Sequence, residues 1–404
     1  MTSTAAPVDA EAFARVASAY RGHRQDVHAL ARAIHADPEL AFAEHRAVER
    51  VTRLLEQAGF AIERGVGGLD TAFRARLGEG PLVAALCVEY DALPEIGHGC
   101  GHPLIAGSSV GAALALAADI AAGDLPGVEL QVIGTPAEEH GGGKQLLIDA
   151  GVFDGADMAL MTHPTPQTGT YDPIGSTSQA VGRWRATFTG RGAHAAANPT
   201  EGVNANDAAV IAQVAAGLLR QRIYDGQRLA LVPQQSGVTN IIPETAVVDF
   251  ECRARTMEQF EELQGMLRAC LEAGALASGC TMEIEASEPA YEPLTQDPGL
   301  GALWNEAMAQ QGRPLAGSTG VMAASTDMGN VSRRVPSLHP FVGIRGVDAA
   351  LHTRDFAAAA MGEEGLALLD DAAVAMAWII RRAATDPTVR EGLAARSVDL
   401  PMAR

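Results

Sequence analysis

Residues 81–136 read PLVAALCVEYDALPEIGHGCGHPLIAGSSVGAALALAADIAAGDLPGVELQVIGTP. The opening PLVAALCVEYDA is a continuous apolar run, as a strand buried on both faces requires. SSVGAALALAADIAAG then reads as a helix with a glycine stop, and VELQVIGTP is a second short apolar run. Beyond it GGKQLLIDAGVF predicts a helix and ADMALMTHP a third strand. The β-α-β-α-β alternation predicts an α/β fold, a mostly parallel sheet with helices on both faces. Upstream, residues 10–59 predict two helices. In DPELAFAEHRAVERVTRLLEQAG the second takes Asp37 as its cap, Pro38 in its first turn and Gly59 as its stop. FAIERG and TAFRARL add two strands before the core stretch.

After GTYDPIGSTSQAVG the pattern changes. RWRATFTGRG predicts a strand, NANDAAVIAQVAAGLLRQRI a helix, RLALVPQQSG and ETAVVDFECRA two strands, TMEQFEELQGMLRACLEAGALASG a helix and CTMEIEASE a strand. This β-α-β-β-α-β order is a complete ferredoxin-like α+β unit. It is expected as an insertion at 182–290 between two parts of a larger domain, 1–181 and 291–404. The second part carries a long apolar helix from Glu363 to Arg382.

The chain has 404 residues, 47% of them hydrophobic, and a formal net charge of −19. That is long enough for two to three domains with a sizeable core. So negative a field repels phosphate backbones and anionic lipid surfaces, which argues against nucleic acid and membrane as partners. No leader-like segment opens the chain and no apolar run is expected to span a membrane. Five cysteines, at 87, 100, 252, 270 and 280, have no framework spacing and suit a reducing compartment, so a cytoplasmic location is expected. Lys144 is the only lysine, which reads as a bias toward arginine codons.

The densest chemical signal is Gly97-His98-Gly99-Cys100-Gly101-His102, expected in the loop after the core strand. Its glycines allow tight turns while Cys100 and His102 project two residues apart, a thiolate and an imidazole for one metal centre. Thr135-Pro136-Ala137-Glu138-Glu139-His140 follows the next strand. Adjacent carboxylates there point to opposite sides, so one can ligate a cation and the other face a water, although paired acids alone usually form a solvated surface. His163 ends a third strand. All three positions fall beyond carboxyl ends of parallel strands, where open α/β sheets place their sites. His352 is a candidate fifth ligand and His339 competes with it. His194 reads by default as a turn histidine of the inserted domain. Gly107-Ser108-Ser109-Val110-Gly111 fits a nucleophile elbow in letters but follows no strand. Cys100 with His102 as a metal-free thiol amidase stays open, as does a binding or scaffold protein without turnover.

At HADPELAFAEHRA, EYDALPEIGHGCGHPLI, GTPAEEHGGGKQLLIDAGVF, the THP of His163, GRGAHAAANPTEGVNANDA, VTNIIPETAVVDFECRA, STDMGNVS and LHTRDF the chain resembles the M20 family of dinuclear metallopeptidases and amidohydrolases. Within it the resemblance is to the branch of auxin-conjugate hydrolases, p-aminobenzoyl-glutamate hydrolase and related dipeptidases. It implies a zinc-peptidase-like catalytic fold with an inserted lid and dimerisation domain, hydrolysing the amide bond of an N-acyl amino acid or dipeptide. Two divalent ions, Zn, Mn or Co, would be held by Cys100, His102, Glu139, His163 and His352, with Cys100 bridging both. Glu138 would be the general base and Asp91 the support of a ligand imidazole. His194 would reach the partner subunit's site in a homodimer, and Asn240 and Arg253 would grip a substrate carboxylate. Pro103 stands where many relatives carry an acidic residue or Asn.

Overall fold

The computed structural model describes residues 9–399 apart from 167–168, 235–236, 314 and 319. The chain start read for a leader, and residues 235–236 of the expected strand RLALVPQQSG, lie outside the described residues. The chain divides into two units, one of Met1–Thr177, Leu294–Met322 and Asp327–Arg404, the other of Ser178–Pro293 and Ala323–Thr326.

In the first unit helix α1 (Ala10–His35) is capped by Asp9, whose side chain accepts from Ala12 N, and it buries Phe13, Val16, Tyr20, Val27, Leu30 and Ile34. Helix α2 (His45–Gln57) begins later than expected from Asp37 and Pro38. The Glu39 carboxylate accepts from the backbone N–H groups of Arg46 and Ala47, both at 2.9 Å, and so takes over the capping role, an effect of about 1 kcal/mol. Asp37 instead pairs with Arg46 and Arg50.

Strands β1 (Ala61–Arg64), β2 (Phe73–Leu77) and β3 (Leu82–Val88) lead into helix α3 (His102–Ala122), then β4 (Val128–Gly134), helix α4 (Gly143–Asp149) and β5 (Met158–Leu160). The main sheet runs β1-β2-β4-β3-β5 and ends in Ser337–Leu338. β4, β3, β5 and the last strand are parallel, while β1 and β2 are antiparallel additions at one edge. From β3 the chain steps to one side for β4 and to the other for β5. The carboxyl end of β3 is therefore a topological switch point, where such sheets bind ligands.

Two expectations change here. α3 starts at His102, not at Ser108, so His102 is the first residue of a helix rather than part of a loop, and Pro103 sits in the first turn, where a missing N–H costs nothing. With 21 residues α3 is also long and apolar enough to cross a membrane, against the expectation of no such run. It is the buried core helix of this unit. A Cβ at Gly107 would lie 2.4 Å from Leu369 and one at Gly111 2.8 Å from the Tyr20 ring, so both glycines serve close packing. The expected strand ADMALMTHP is likewise broken in two. β5 stays in the main sheet, whereas β6 (His163–Thr165) pairs in parallel with Phe341–Gly343 in a second sheet.

The second unit has the four-stranded antiparallel order Arg228–Pro233, Thr245–Ala254, Ala180–Thr189, Thr281–Ala286. Helices α5 (Ala205–Leu219) and α6 (Met257–Ser278) pack with it around Phe188, Val248, Phe250, Phe260, Leu263, Leu267 and Leu271. RWRATFTGRG, expected with RLALVPQQSG at the ends of this sheet, instead belongs to an interior strand, because Thr281–Ala286 pairs on its outer side. The edges are Arg228–Pro233 and Thr281–Ala286.

Candidate metal centre

The chain leaves β3 through Glu89, Tyr90 and Asp91, all buried. It returns through Cys100 and Gly101 into α3. Gly101 has φ +85°, and a Cβ there would lie 2.6 Å from Pro164, so only glycine makes this turn. The turn sets the His102 ring against Asp91, with Nδ1 2.8 Å from the Asp91 carbonyl and 3.0 Å from its Oδ1. Nδ1–H is thus committed to Asp91. Nε2 is buried without a hydrogen-bond partner, 3.6 Å from Glu89 Oε2, 3.7 Å from Glu138 Oε2 and 4.0 Å from Glu139 Oε1.

His163, at the start of β6, donates Nδ1–H to the Pro164 carbonyl at 2.7 Å and turns Nε2 to Cys100 Sγ at 3.4 Å. His352 has a left-handed backbone, φ 62°, and its N–H donates to the Gly99 carbonyl at 2.9 Å. Its Nε2 stands 3.5 Å from Cys100 Sγ and 3.6 Å from Glu139 Oε2. Beyond β4, Ala137 is left-handed at φ 64° and its N–H donates to Glu44 Oε1 at 2.9 Å. Glu139 N donates to Asp91 Oδ2 at 2.9 Å. One carboxylate thereby contacts two candidate ligands, His102 and Glu139.

Donor atoms of Cys100, His102 and His163 lie within 4.8 Å of one another, and so do those of Cys100, Glu139 and His352. The two sets share the thiol. Burial pushes Glu138 well up, reinforced by Glu89 and Glu139, and lifts Glu139 to about 7. Burial, with Glu139, also raises the Cys100 thiol. Burial lowers His163 to about 4, so its imidazole is neutral and its lone pair is available. Burial disfavours charge on His102 too, but the Asp91 carboxylate outweighs it and holds the ring well above the usual histidine range. The cluster is a buried surplus of negative and thiol donors that favours a cation. A mixed thiolate, imidazole and carboxylate set around an unpartnered imidazole nitrogen fits divalent ions.

His339 is buried beside His163, ring centroids 5.7 Å apart, but joins neither set. Ser109 Oγ donates to the Cys87 carbonyl at 2.7 Å, a packing role inside α3 and not a nucleophile's. A raised, buried thiol is also a poor metal-free nucleophile.

In the second unit His194 and Asn240 are neighbours. His194 pairs with Ile241 across a two-residue ladder, and Ala195 N donates to the Asn240 carbonyl. The exposed His194 ring accepts at Nδ1 from the N–H groups of Ala196 and Ala197, which puts its proton on Nε2. Arg253 forks onto Glu251 at 2.6 and 3.2 Å, with Nη1 3.5 Å from Ser325 Oγ.

Sequence reasoning passed over four residues around the centre. Glu44 anchors Ala137, and Lys144 lies buried between Glu89 and Asp327. Acids inside or next to apolar runs were the available signal for Glu44 and Glu89. For Lys144 it was being the only lysine of the chain.

Against known proteins, the description Peptidase family M20/M25/M40 fits residues 85–373. Xaa-Arg dipeptidase of Mus musculus is 40% identical over 350 residues, covering 82% of this chain and 79% of the relative. Its Homo sapiens counterpart is 36% identical over 387 residues, covering 90% and 87%. A p-aminobenzoyl-glutamate hydrolase polypeptide from Escherichia coli K12 is 28% identical, covering 85% and 86%. Among solved structures, the Bacillus subtilis YXEP protein, a dinuclear metal binding peptidase from the M20 family, superposes with a TM-score of 0.67 at 22% identity, over 89% of this chain and 99% of that one. The aminobenzoyl-glutamate utilization protein of Klebsiella pneumoniae gives 0.69 at 20% identity, over 90% and 96%. These two likenesses concern the fold.

Proposed function

Because the chain belongs to peptidase family M20/M25/M40, a family of hydrolases, we propose that it cleaves the amide bond of a dipeptide or N-acyl amino acid at a centre of two divalent ions. The observation that carries this reading is the convergence of Cys100, His102, Glu139, His163 and His352 on two donor sets sharing one thiol, with Glu138 beside them. Divalent ions held there supply positive charge that polarises a carbonyl and acidifies a water; Zn, Mn and Co all suit the donors. Glu138 takes the proton of the attacking water and returns it to the leaving amine. His194 Nε2–H and Asn240 are donors for the developing oxyanion and the substrate, and Arg253 is the partner of a substrate carboxylate.

Among substrates we place first a dipeptide with a basic C-terminal residue. Two relatives are named for Xaa-Arg dipeptides, and a net charge of −19 draws cationic ligands in. The working form is a cytoplasmic homodimer built through residues 178–293. A panel of Xaa-Arg, Xaa-Lys and neutral dipeptides, N-acetyl amino acids and aminobenzoyl-glutamate, assayed with Mn and Zn separately, tests the substrate. Basic dipeptides should lead in kcat/KM by about tenfold or more, which corresponds to one well-placed charge contact. Chelation should abolish turnover, and Cys100→Ala should lower bound metal below two ions per chain. Full metal content in that variant would overturn the ligand assignment.

A further inference from the structure

Of the thirty basic residues twenty-nine are arginine, and the exception, Lys144, is fully buried. Its Nζ donates to Glu89 Oε1 at 2.5 Å and to Asp327 Oδ1 at 2.6 Å, and its backbone N donates to Asp327 Oδ2 at 2.9 Å. Lys144 follows Gly143, where a Cβ would fall 1.9 Å from the Pro136 carbonyl oxygen, so the turn that delivers the ammonium admits no side chain before it.

Glu89, Glu138 and Asp327 hold carboxylate oxygens within 4.8 Å of one another. All three are buried, and Glu89 Oε2 has no hydrogen-bond partner. Three carboxylates out of water need a counter-charge. By spacing and chemistry this is a further cluster of the kind that takes a divalent ion, sharing Glu138 with the His102, Glu138 and Glu139 group, and a compact ammonium lies against two of its three members. An ammonium is a point charge with three rotatable donors, whereas a guanidinium is a wide planar fork. This difference explains why the one lysine of an arginine-rich chain stands here.

We propose that Lys144 is an internal cation occupying a third divalent-ion site made by Glu89, Glu138 and Asp327. It confines metal to the donors around Cys100 and keeps Glu138 for the proton of the water. The inference rests on the dinuclear reading above, and one measurement separates the two. The ion count of the wild-type chain tests that reading, and the difference between wild type and variant tests this one.

Lys144→Met removes the charge and keeps the stem. Loaded with Mn and analysed for metal per chain, it should hold one ion more than wild type, with turnover lowered about tenfold or more because Glu138 is drawn into ligation. Adding Glu89→Gln and Asp327→Asn to that variant should return the count to the wild-type value. An unchanged count in Lys144→Met, or an extra ion that persists in the triple variant, overturns the proposal. Should Lys144→Met be insoluble, it is produced with and without added Mn. Folding restored by the divalent ion supports the internal-cation role, and no restoration refutes it.

Discussion

Glu138 and Glu139 are adjacent in sequence but differ in their surroundings. Both lie beside His102, but Glu139 also groups with Cys100 and His352, whereas Glu138 also groups with the interior carboxylates Glu89 and Asp327. Replacing Glu138 by Gln keeps its shape and removes its basicity. Metal content should then stay at the wild-type value while kcat falls about 100-fold or more, the usual scale for loss of a general base. Steady-state kinetics alongside elemental analysis reads both, and near-wild-type turnover would move the base elsewhere. Cys100 and His102 stood out in the sequence because their spacing is hard to explain by packing, and Glu138 and Glu139 because they follow a strand. Lys144, Glu89 and Asp327 did not, because each acquires meaning only from partners 55 and 183 residues away. Composition alone left the sole lysine looking like the residue of a codon bias.

Between β4 and α4 the chain makes a constrained turn. Ala137 is one of four non-glycine residues with left-handed backbone among the described residues, with Phe42, Glu95 and His352. Such conformations cost of order 1 kcal/mol or more and persist where neighbours enforce them. Here the enforcing neighbour is Glu44, buried, with Oε1 on Ala137 N and burial pushing its carboxyl up to about 7. In the unfolded chain that carboxyl titrates near 4.3. Between those values the folded state holds a proton that the unfolded state has released, so stability declines as pH rises through the window and the loss is complete above about pH 7. The full effect is roughly 3–4 kcal/mol. Glu44→Gln keeps an acceptor for Ala137 N without the titration. It should therefore exceed wild type in stability by most at pH 8, with the gap narrowing steadily toward pH 5, in urea melts across that range. A gap that widens toward acid would show that burial of the charge is not the governing effect. The same element explains one misreading. Periodicity located α2, but it could not tell that a carboxylate two residues beyond Asp37 would take the helix N–H groups. The start of α3 was misplaced for a related reason. The glycine loop and the first helical turn share residues, so the metal-like spacing hid the helix.

At the scale of the whole molecule, the doubly wound sheet and the inserted antiparallel unit were legible because strand-helix alternation gives way abruptly to a β-α-β-β-α-β order. Which strands form its edges was not, since sheet order depends on long-range pairing. In the second unit Val210, Val214 and Leu218 stand 50%, 59% and 72% exposed along one stripe of α5, and Arg228–Pro233 is an edge strand, paired on one side only among the described residues. An apolar stripe and a free edge are what a two-fold partner covers. In such a dimer the exposed His194 ring, with its proton on Nε2, would be the donor we propose for the other copy's metal centre. If the site is composite, His194→Ala and Glu138→Gln would each remove a different contribution to it. A heterodimer of the two holds one site with Glu138 and His194 both intact and one site lacking both. Random reassociation makes half the dimers mixed, so the mixture should recover about a quarter of wild-type activity. Each variant alone should retain no more than a few per cent of wild-type turnover, so the assay would have a low baseline, and a tag on one variant lets the mixed dimers be isolated and counted. If isolated heterodimers are as inactive as their parents, His194 serves its own chain or takes no part in turnover, and the composite site is refuted even where the dimer itself forms.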